Sequence, residues 1–313
     1  LRDADEALGK RVAEGERLME YEGQVELVSD LRISAIYYAL LQTGYDFYAM
    51  EKEADVVQTL RGFAGQGAGR FPFFEAARQT TCQEYPYWPR AFLLEAASFH
   101  LKEDCSGFRD LNALRRKILS AGNLSPEERG QALWDWLREF PLALMRVRAD
   151  TGFQQYWVWE AQWLAGERGR RQEQLEGIQR CLEQCARRYQ PPVQAVKIIL
   201  NPIKCAYSSD YHWIDGCFYF SSGALRGESV IHEFLHPVVH PAVERNQDAL
   251  LRRERPLPGI DDSYYLDRSG AGWLNACEEY CVRALTQEVM AQNYPVDLDA
   301  AVLHLIESAK LPV

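Results

Sequence analysis

Apolar residues recur at helical spacing through most of the first 190 positions of the chain. Between Leu31 and Leu41 they include pairs that are three and four residues apart, which predicts a buried helix. A Ser-Pro-Glu-Glu sequence at 125–128 is typical of a helix start. Similar patterns predict further helices over residues 51–61, 91–101, 133–140 and 168–189. The region 1–190 is therefore predicted to be mainly helical.

The pattern changes after the two prolines at 191 and 192. Residues 193–200 are rich in β-branched side chains and predict a strand, and residues 217–222 predict a second strand after an Ile-Asp-Gly turn. Helical spacing returns at 230–236 and again at 272–285. We therefore predict an α+β, predominantly α-helical protein with a helical region at 1–190 and a second region, containing a small sheet, at 191–313.

The segment from Val230 to His236 contains a His-Glu-x-x-His motif on one of these predicted helices. His232 and His236 are four residues apart, so both imidazoles project from one helix face and can reach a single ion. Glu233 stands where its carboxylate can take a proton from an attacking water. The motif therefore predicts a zinc-dependent hydrolytic site. The alternative is a coincidental match on an ordinary buried helix.

Two histidines do not complete a catalytic zinc site, which usually has three protein ligands. His240 is the nearest candidate in the sequence. However, Pro237 and Pro241 are predicted to end the helix, which would leave His240 off its regular part.

A carboxylate on the predicted helix at 272–285 is the stronger candidate for the third ligand. Two glutamates, Glu278 and Glu279, lie side by side there. The periodicity of the apolar residues alone favours Glu278 as the more buried carboxylate.

These residues together resemble the gluzincin branch of the zincin metallopeptidases, in which His-Glu-x-x-His is followed by a glutamate on a later helix. The chain looks particularly like a poorly characterised group of bacterial proteins whose later helix carries Glu-x-x-Val-Arg-Ala. Residues 279–284 match that sequence, and the resemblance covers residues 190–290. It implies a zincin-like catalytic region, with His232, His236 and Glu279 as the Zn²⁺ ligands and Glu233 as the general base.

The resemblance also implies the reaction, which is cleavage of a peptide bond by a water that the metal activates. The substrate would be a peptide or protein, paired with the strand at 218–222 by β-augmentation. Tyr264, Tyr265 and His304 are candidates for stabilising the oxyanion, although each is also explained by a structural role. The alternative function is a non-catalytic zincin-like binding protein whose helical half docks a partner.

Composition agrees with a globular protein and excludes some partners. The 313 residues are 47% hydrophobic and 26% charged, and the net charge of −10 comes without the basic clusters typical of nucleic-acid binding. No apolar stretch approaches the length of a membrane span, which is about 20 residues. Since the sequence starts at Leu1 rather than methionine, both a cytoplasmic location and export after removal of a leader stay open.

The eight cysteines contain no Cys-x-x-Cys pair and are interpreted as small buried side chains. In an exported protein, Cys205 and Cys217 would be the pair expected to form a disulfide. The tryptophans between 134 and 163 are interpreted as core residues rather than as a ligand platform.

Overall fold

A small mixed sheet with helices on both faces organises the chain in the computed structural model. The structure describes residues 25–45, 51–65, 69–80, 91–120, 130–191, 193–252, 257–260 and 271–309. The strands are β1 (Val25–Val28), β2 (Ala195–Leu200), β3 (Ser209–Ile214) and β4 (Cys217–Ser222). The helices are α1 (Leu31–Gln42), α2 (Ala54–Phe63), α3 (Pro72–Thr80), α4 (Phe92–Phe99), α5 (Leu111–Ser120), α6 (Gln131–Leu137), α7 (Phe140–Arg148), α8 (Thr151–Arg170), α9 (Gln172–Tyr189), α10 (Gly227–Arg245), α11 (Gln247–Leu251), α12 (Ala271–Met290) and α13 (Leu298–Ser308). The prediction of an α+β, predominantly helical fold is confirmed.

The strands lie in the order β1-β2-β4-β3. β2 is parallel to both of its neighbours, whereas β3 and β4 form an antiparallel hairpin. Asp215 and Gly216 make its two-residue turn with φ angles of 51° and 77°, which suit the twist of a tight hairpin. β4 therefore lies inside the sheet, and the prediction that it offers a free edge to a peptide is wrong. Among the described strands, the edges are β1 and β3.

β1 is a strand that the sequence did not predict. Its residues Val25–Val28 pair with β2, from Val25 opposite Val196 to Val28 opposite Ile199. Four residues are too few to display a clear period, and their partner lies far along the chain. The helix begins only after Asp30, whose carboxylate caps it by accepting from the backbone N–H groups of two following residues.

The alternation of side chains along the strands divides the core into two hydrophobic clusters. Ile199 joins a first cluster that also contains buried residues of α1, α3, α4 and α7. Its neighbour Ile198 joins a second cluster with buried residues of α9, α10, α12 and α13. The first cluster also takes in Cys205, and the second takes in Leu27. Packing therefore crosses the predicted boundary at residue 190 in both directions.

α10, which carries the His-Glu-x-x-His motif, continues through two prolines. The prediction that this helix ends at Pro237 and Pro241 is wrong, because it runs on to Arg245. An interior proline removes one backbone donor and crowds the carbonyl four residues earlier, at a cost of about 3 kcal/mol or more. Val239 and Ala242 in the continued part are fully buried in the second cluster, so tertiary packing offsets that cost.

The interpretations of the cysteines and tryptophans agree with the structure, apart from the conditional disulfide. Cys205 and Cys217 are both free thiols. Most cysteines of the described residues are buried, as is Trp134, and the neighbouring tryptophans pack partly buried against the first cluster. No helix in the part of the chain that the structure describes combines the length and the apolar character needed to cross a membrane.

A fully buried ionic cluster joins the helical half to the sheet. The Nζ atom of Lys204 lies 2.6 Å from Glu95 Oε1 on α4 and 2.6 Å from Asp210 Oδ2 on β3. It also donates to the Ser221 hydroxyl on β4 at 3.2 Å, and His212 Nε2 lies 3.2 Å from Glu95 Oε2. Burial lowers the pKa of Lys204, but the charges of Asp210 and Glu95 outweigh this and raise it. The cation is therefore kept charged.

We expect Lys204→Met to lower the free energy of unfolding at neutral pH by about 3–5 kcal/mol, because two buried carboxylates lose their common counter-ion. Urea unfolding followed by circular dichroism measures the change. Lys102→Met, at an exposed position, is the matched control and should change stability by less than about 0.5 kcal/mol. Equal stabilities of the Lys204→Met protein and the wild type would contradict the prediction.

Glu160 is a second buried acid, placed on α8 against α1. Ser34 Oγ donates to its Oε1 at 2.7 Å, and its side chain has no exposed surface. Burial raises the pKa of Glu160 to about 7, although the hydrogen bond from Ser34 acts to lower it. The folded protein therefore holds a proton that the unfolded chain releases near pH 4.5.

Glu160 consequently contributes stability that is complete below pH 4.5 and is lost as the pH rises to about 7. The loss amounts to about 3 kcal/mol, and Glu160→Gln should abolish it because the amide does not ionise. As the pH rises from about 4 to about 8, the unfolding free energy of the variant relative to that of the wild type should increase by that amount. For Glu173→Gln, at an exposed position, the unfolding free energy should change with pH as it does for the wild type. The same pH dependence for Glu160→Gln would refute the raised pKa of Glu160.

Candidate metal centre

α10 presents two histidines to one point. His232 and His236 are separated by one helical turn, and their ring centroids are 5.1 Å apart with the rings nearly perpendicular. The four apolar residues between and before them are buried, which fixes the rotation of the helix. They are Val230, Ile231, Phe234 and Leu235. Both imidazoles are left partly exposed on the opposite side of the helix.

α12 brings Glu279 to the same point. Its Oε2 atom lies 3.7 Å from His232 Nε2 and 3.6 Å from His236 Nε2. One ligand atom from each of the three residues falls within 4.8 Å of the others. The structure thus brings together the three residues that the resemblance implied as ligands.

The spacing of these donors suits a small divalent ion. Zinc is held by histidine nitrogen and carboxylate oxygen at about 2.0–2.2 Å, so the edges of a zinc tetrahedron are about 3.4 Å long. The two distances from Glu279 Oε2 to the imidazole nitrogens are close to that length. Two neutral imidazoles and one carboxylate are also the donor set of many hydrolytic zinc sites. The residues present therefore fit the ion.

Glu278 faces a different partner from Glu279. Its Oε1 lies 2.8 Å from Nδ1 of His236, and its Oε2 lies 2.7 Å from Nδ1 of His240. A carboxylate that accepts from Nδ1 leaves the Nε2 lone pair of a ligating histidine free for a metal. Both oxygens of Glu278 are thus engaged by histidines, which assigns it to the outer layer of the site.

The choice between adjacent glutamates differs from what the apolar periodicity indicates. Glu279 is the more buried residue, with a side chain that is 9% exposed against 14% for Glu278. Val282, which lies beside the apolar face that the sequence predicts for α12, is buried as well. The buried side of α12 is therefore wider than the spacing of its apolar residues suggests. His240 lies on α10 one turn beyond His236, and its Nε2 faces Glu244 at 3.3 Å rather than the three candidate ligands.

Three carboxylates make the centre electronegative. Burial raises the pKa of Glu233, although the nearby charges of His236 and His232 act against this. For Glu279, burial also raises the pKa, but the close approach and charge of His232 and the charge of His236 lower it to about 2. Burial lowers the pKa of His236, and Glu278 more than reverses this and raises it to about 9. Such a pocket favours a cation.

Two side chains contact the candidate ligands although no role for them was predicted from the sequence. Tyr211 of β3 stacks on His236, with centroids 5.8 Å apart and an interplanar angle of 14°. Arg283 donates from Nε to Glu279 Oε1 at 2.6 Å. The spacing of Glu279 and Arg283, four residues on one helix, is a signal that could have revealed the second contact. No local pattern indicates the first, since it joins a strand to a helix.

Of the candidates for oxyanion stabilisation, the structure describes only His304 and does not bring it into the site. His304 lies on α13 with an exposed side chain, and no ion pair or ring contact joins it to the three ligands among the described residues. Tyr264 and Tyr265 lie outside those residues.

Comparison of the chain with protein-family models, curated proteins and solved structures found no match.

We expect Glu278→Gln to weaken zinc binding about 10- to 100-fold, because the carboxylate that orients His236 is lost while the ligands remain. Competition with a chromophoric chelator measures the dissociation constant. Glu279→Ala, which removes a candidate ligand, should cause the larger loss. Glu244→Gln, which changes only the contact of His240 at the helix end, should leave the constant within about twofold. A Glu278→Gln protein that binds as tightly as the wild type would exclude the outer-layer role.

Proposed function

We propose that this protein is a zinc-dependent metallopeptidase. The observation that carries the proposal is the convergence of His232, His236 and Glu279 at distances that suit one metal ion. The acidic residue Glu233 lies on the same helix, directly after the first histidine. A histidine pair, a carboxylate ligand and a neighbouring acid together meet the requirements of metal-assisted hydrolysis.

Zinc held by these three residues would polarise the scissile carbonyl and make water a stronger nucleophile near neutral pH. Glu233 would accept the proton of the attacking water and later donate it to the leaving amine. Burial raises the pKa of Glu233, so its carboxylate is a stronger base than a carboxylate in water. The Glu278 carboxylate would keep the His236 ring oriented through both steps.

A peptide substrate is proposed to bind along β3 rather than β4. β3 is an edge of the sheet among the described strands, and an edge can accept an extended chain by backbone hydrogen bonds. It packs against α10, and its Tyr211 stacks on His236. A chain added to β3 would therefore run beside the candidate metal centre. The same mode of binding was predicted for β4, which has a neighbour on each side.

Glu233→Gln is the substitution that tests the mechanism. We expect it to retain about one zinc per chain and to lower turnover of a fluorogenic peptide mixture by about 100- to 10,000-fold, because the general base is lost and the ligands are kept. Elemental analysis by mass spectrometry gives the zinc content, measured beside the peptidase assay. His232→Ala should lose both zinc and turnover.

The control is Glu228→Gln, at the exposed start of the same helix, which should retain both zinc and turnover. Full activity of the Glu233→Gln protein would exclude Glu233 as the base. Zinc binding by the wild type without turnover of any peptide would favour the non-catalytic binding protein instead. A wild type that takes up no zinc when it is supplied would remove the metal centre from the proposal.

A further inference from the structure

The two oxygens of the Glu279 carboxylate have different surroundings. Oε2 faces the imidazole nitrogens of His232 and His236 at 3.7 and 3.6 Å. Oε1 is turned away from them and accepts a hydrogen bond from Arg283 Nε at 2.6 Å. Of the two oxygens, the one facing the histidines is therefore the one available to an ion.

Arg283 is itself held from a second direction. Its Nη1 donates to the carbonyl oxygen of Gly259 at 2.6 Å. Gly259 has a φ of +72°, which a glycine adopts without strain, and Leu257 and Ile260 on either side of it are buried in the second hydrophobic cluster. The guanidinium thus bridges α12 and an anchored turn, although the arginine side chain is 46% exposed.

The planar guanidinium is suited to this bridge. Its donors point in fixed directions, so two hydrogen bonds to separate acceptors restrict the rotation of the group. A lysine ammonium at the same position would supply the charge on a flexible stem, without the rigid fork. The orientation of the Glu279 carboxylate therefore depends on the shape of the arginine as well as on its charge.

We infer that Arg283 is a positioning residue that presents Oε2 of Glu279 to the metal. The inference rests on the metal centre of the proposed function. Without Arg283, the carboxylate would be free to rotate, and ion binding would have to order it. An outer contact of this kind typically changes metal affinity by a factor of about 10 to 100.

The test compares the zinc dissociation constants of the wild type, Arg283→Met and Arg283→Lys by chelator competition on the full chain. Arg283→Met should bind zinc about 10- to 100-fold more weakly, and Arg283→Lys should not restore wild-type affinity. Arg245→Met is the matched control. Arg245 makes a similar two-nitrogen contact with Asp299 at the end of α10, far along the helix from the histidines, and its loss should leave the constant within about twofold.

The melting temperature of the metal-free proteins separates positioning from simple support of the fold. Positioning predicts that the zinc constant of Arg283→Met changes far more than that of Arg245→Met when the two metal-free melting temperatures are similar. A lower melting temperature with an unchanged zinc constant would overturn the inference, as would full restoration of affinity by Arg283→Lys. If the wild type binds zinc and His232→Ala does not, such results reject the role of Arg283 alone. A wild type that binds no zinc would overturn the metal centre and this inference together.

Discussion

The packing of α10 against α12 is the contact on which the candidate site depends. Phe234 and Leu235 on the first helix and Cys277 and Cys281 on the second are buried in one apolar cluster. The polar side chains stand at the border of that cluster, so the distance between the helices sets the distance between the imidazoles and the carboxylate. A slip of one residue along either helix would rotate a ligand by about 100° and remove it from the site.

β3 connects this site with the buried ionic cluster through the alternation of its side chains. Asp210 and His212 point to the face of the sheet that bears α4, where Asp210 contacts Lys204 and His212 contacts Glu95 of α4. Tyr211, between them in sequence, points to the other face and stacks on His236. Each face of one short strand thus carries a polar group with a fixed partner. The register of β3 is therefore specified from both sides.

The candidate ligands are surrounded by an outer layer of side chains that contact them. These outer contacts distinguish the roles of the two adjacent glutamates. Glu278 has both oxygens engaged by His236 and His240, whereas Glu279 has one oxygen engaged by Arg283. Two chemically identical side chains next to each other on one helix therefore differ in their capacity to bind an ion. Their partners, and not their residue type, make one of them a candidate ligand.

The spacing of residues along the chain was enough to predict those parts of the site that lie on one helix. A helix repeats every 3.6 residues, so the spacing of His232 and His236 already implied a shared face, and the adjacent Glu233 followed with it. The helical character of the chain and the strands β2 and β4 could also be predicted, because each of these elements has a characteristic pattern of apolar residues within a short stretch of the sequence. Three other features could not be predicted from the pattern of apolar residues: the pairing of β1 with β2, the continuation of α10 past Pro237, and the turning of Glu279 toward the histidines, which the resemblance alone implied. Each of these features depends on contacts between residues that are distant in the chain. The packing energy of such contacts can outweigh the local conformational preferences of the residues, which are all that a sequence pattern reflects.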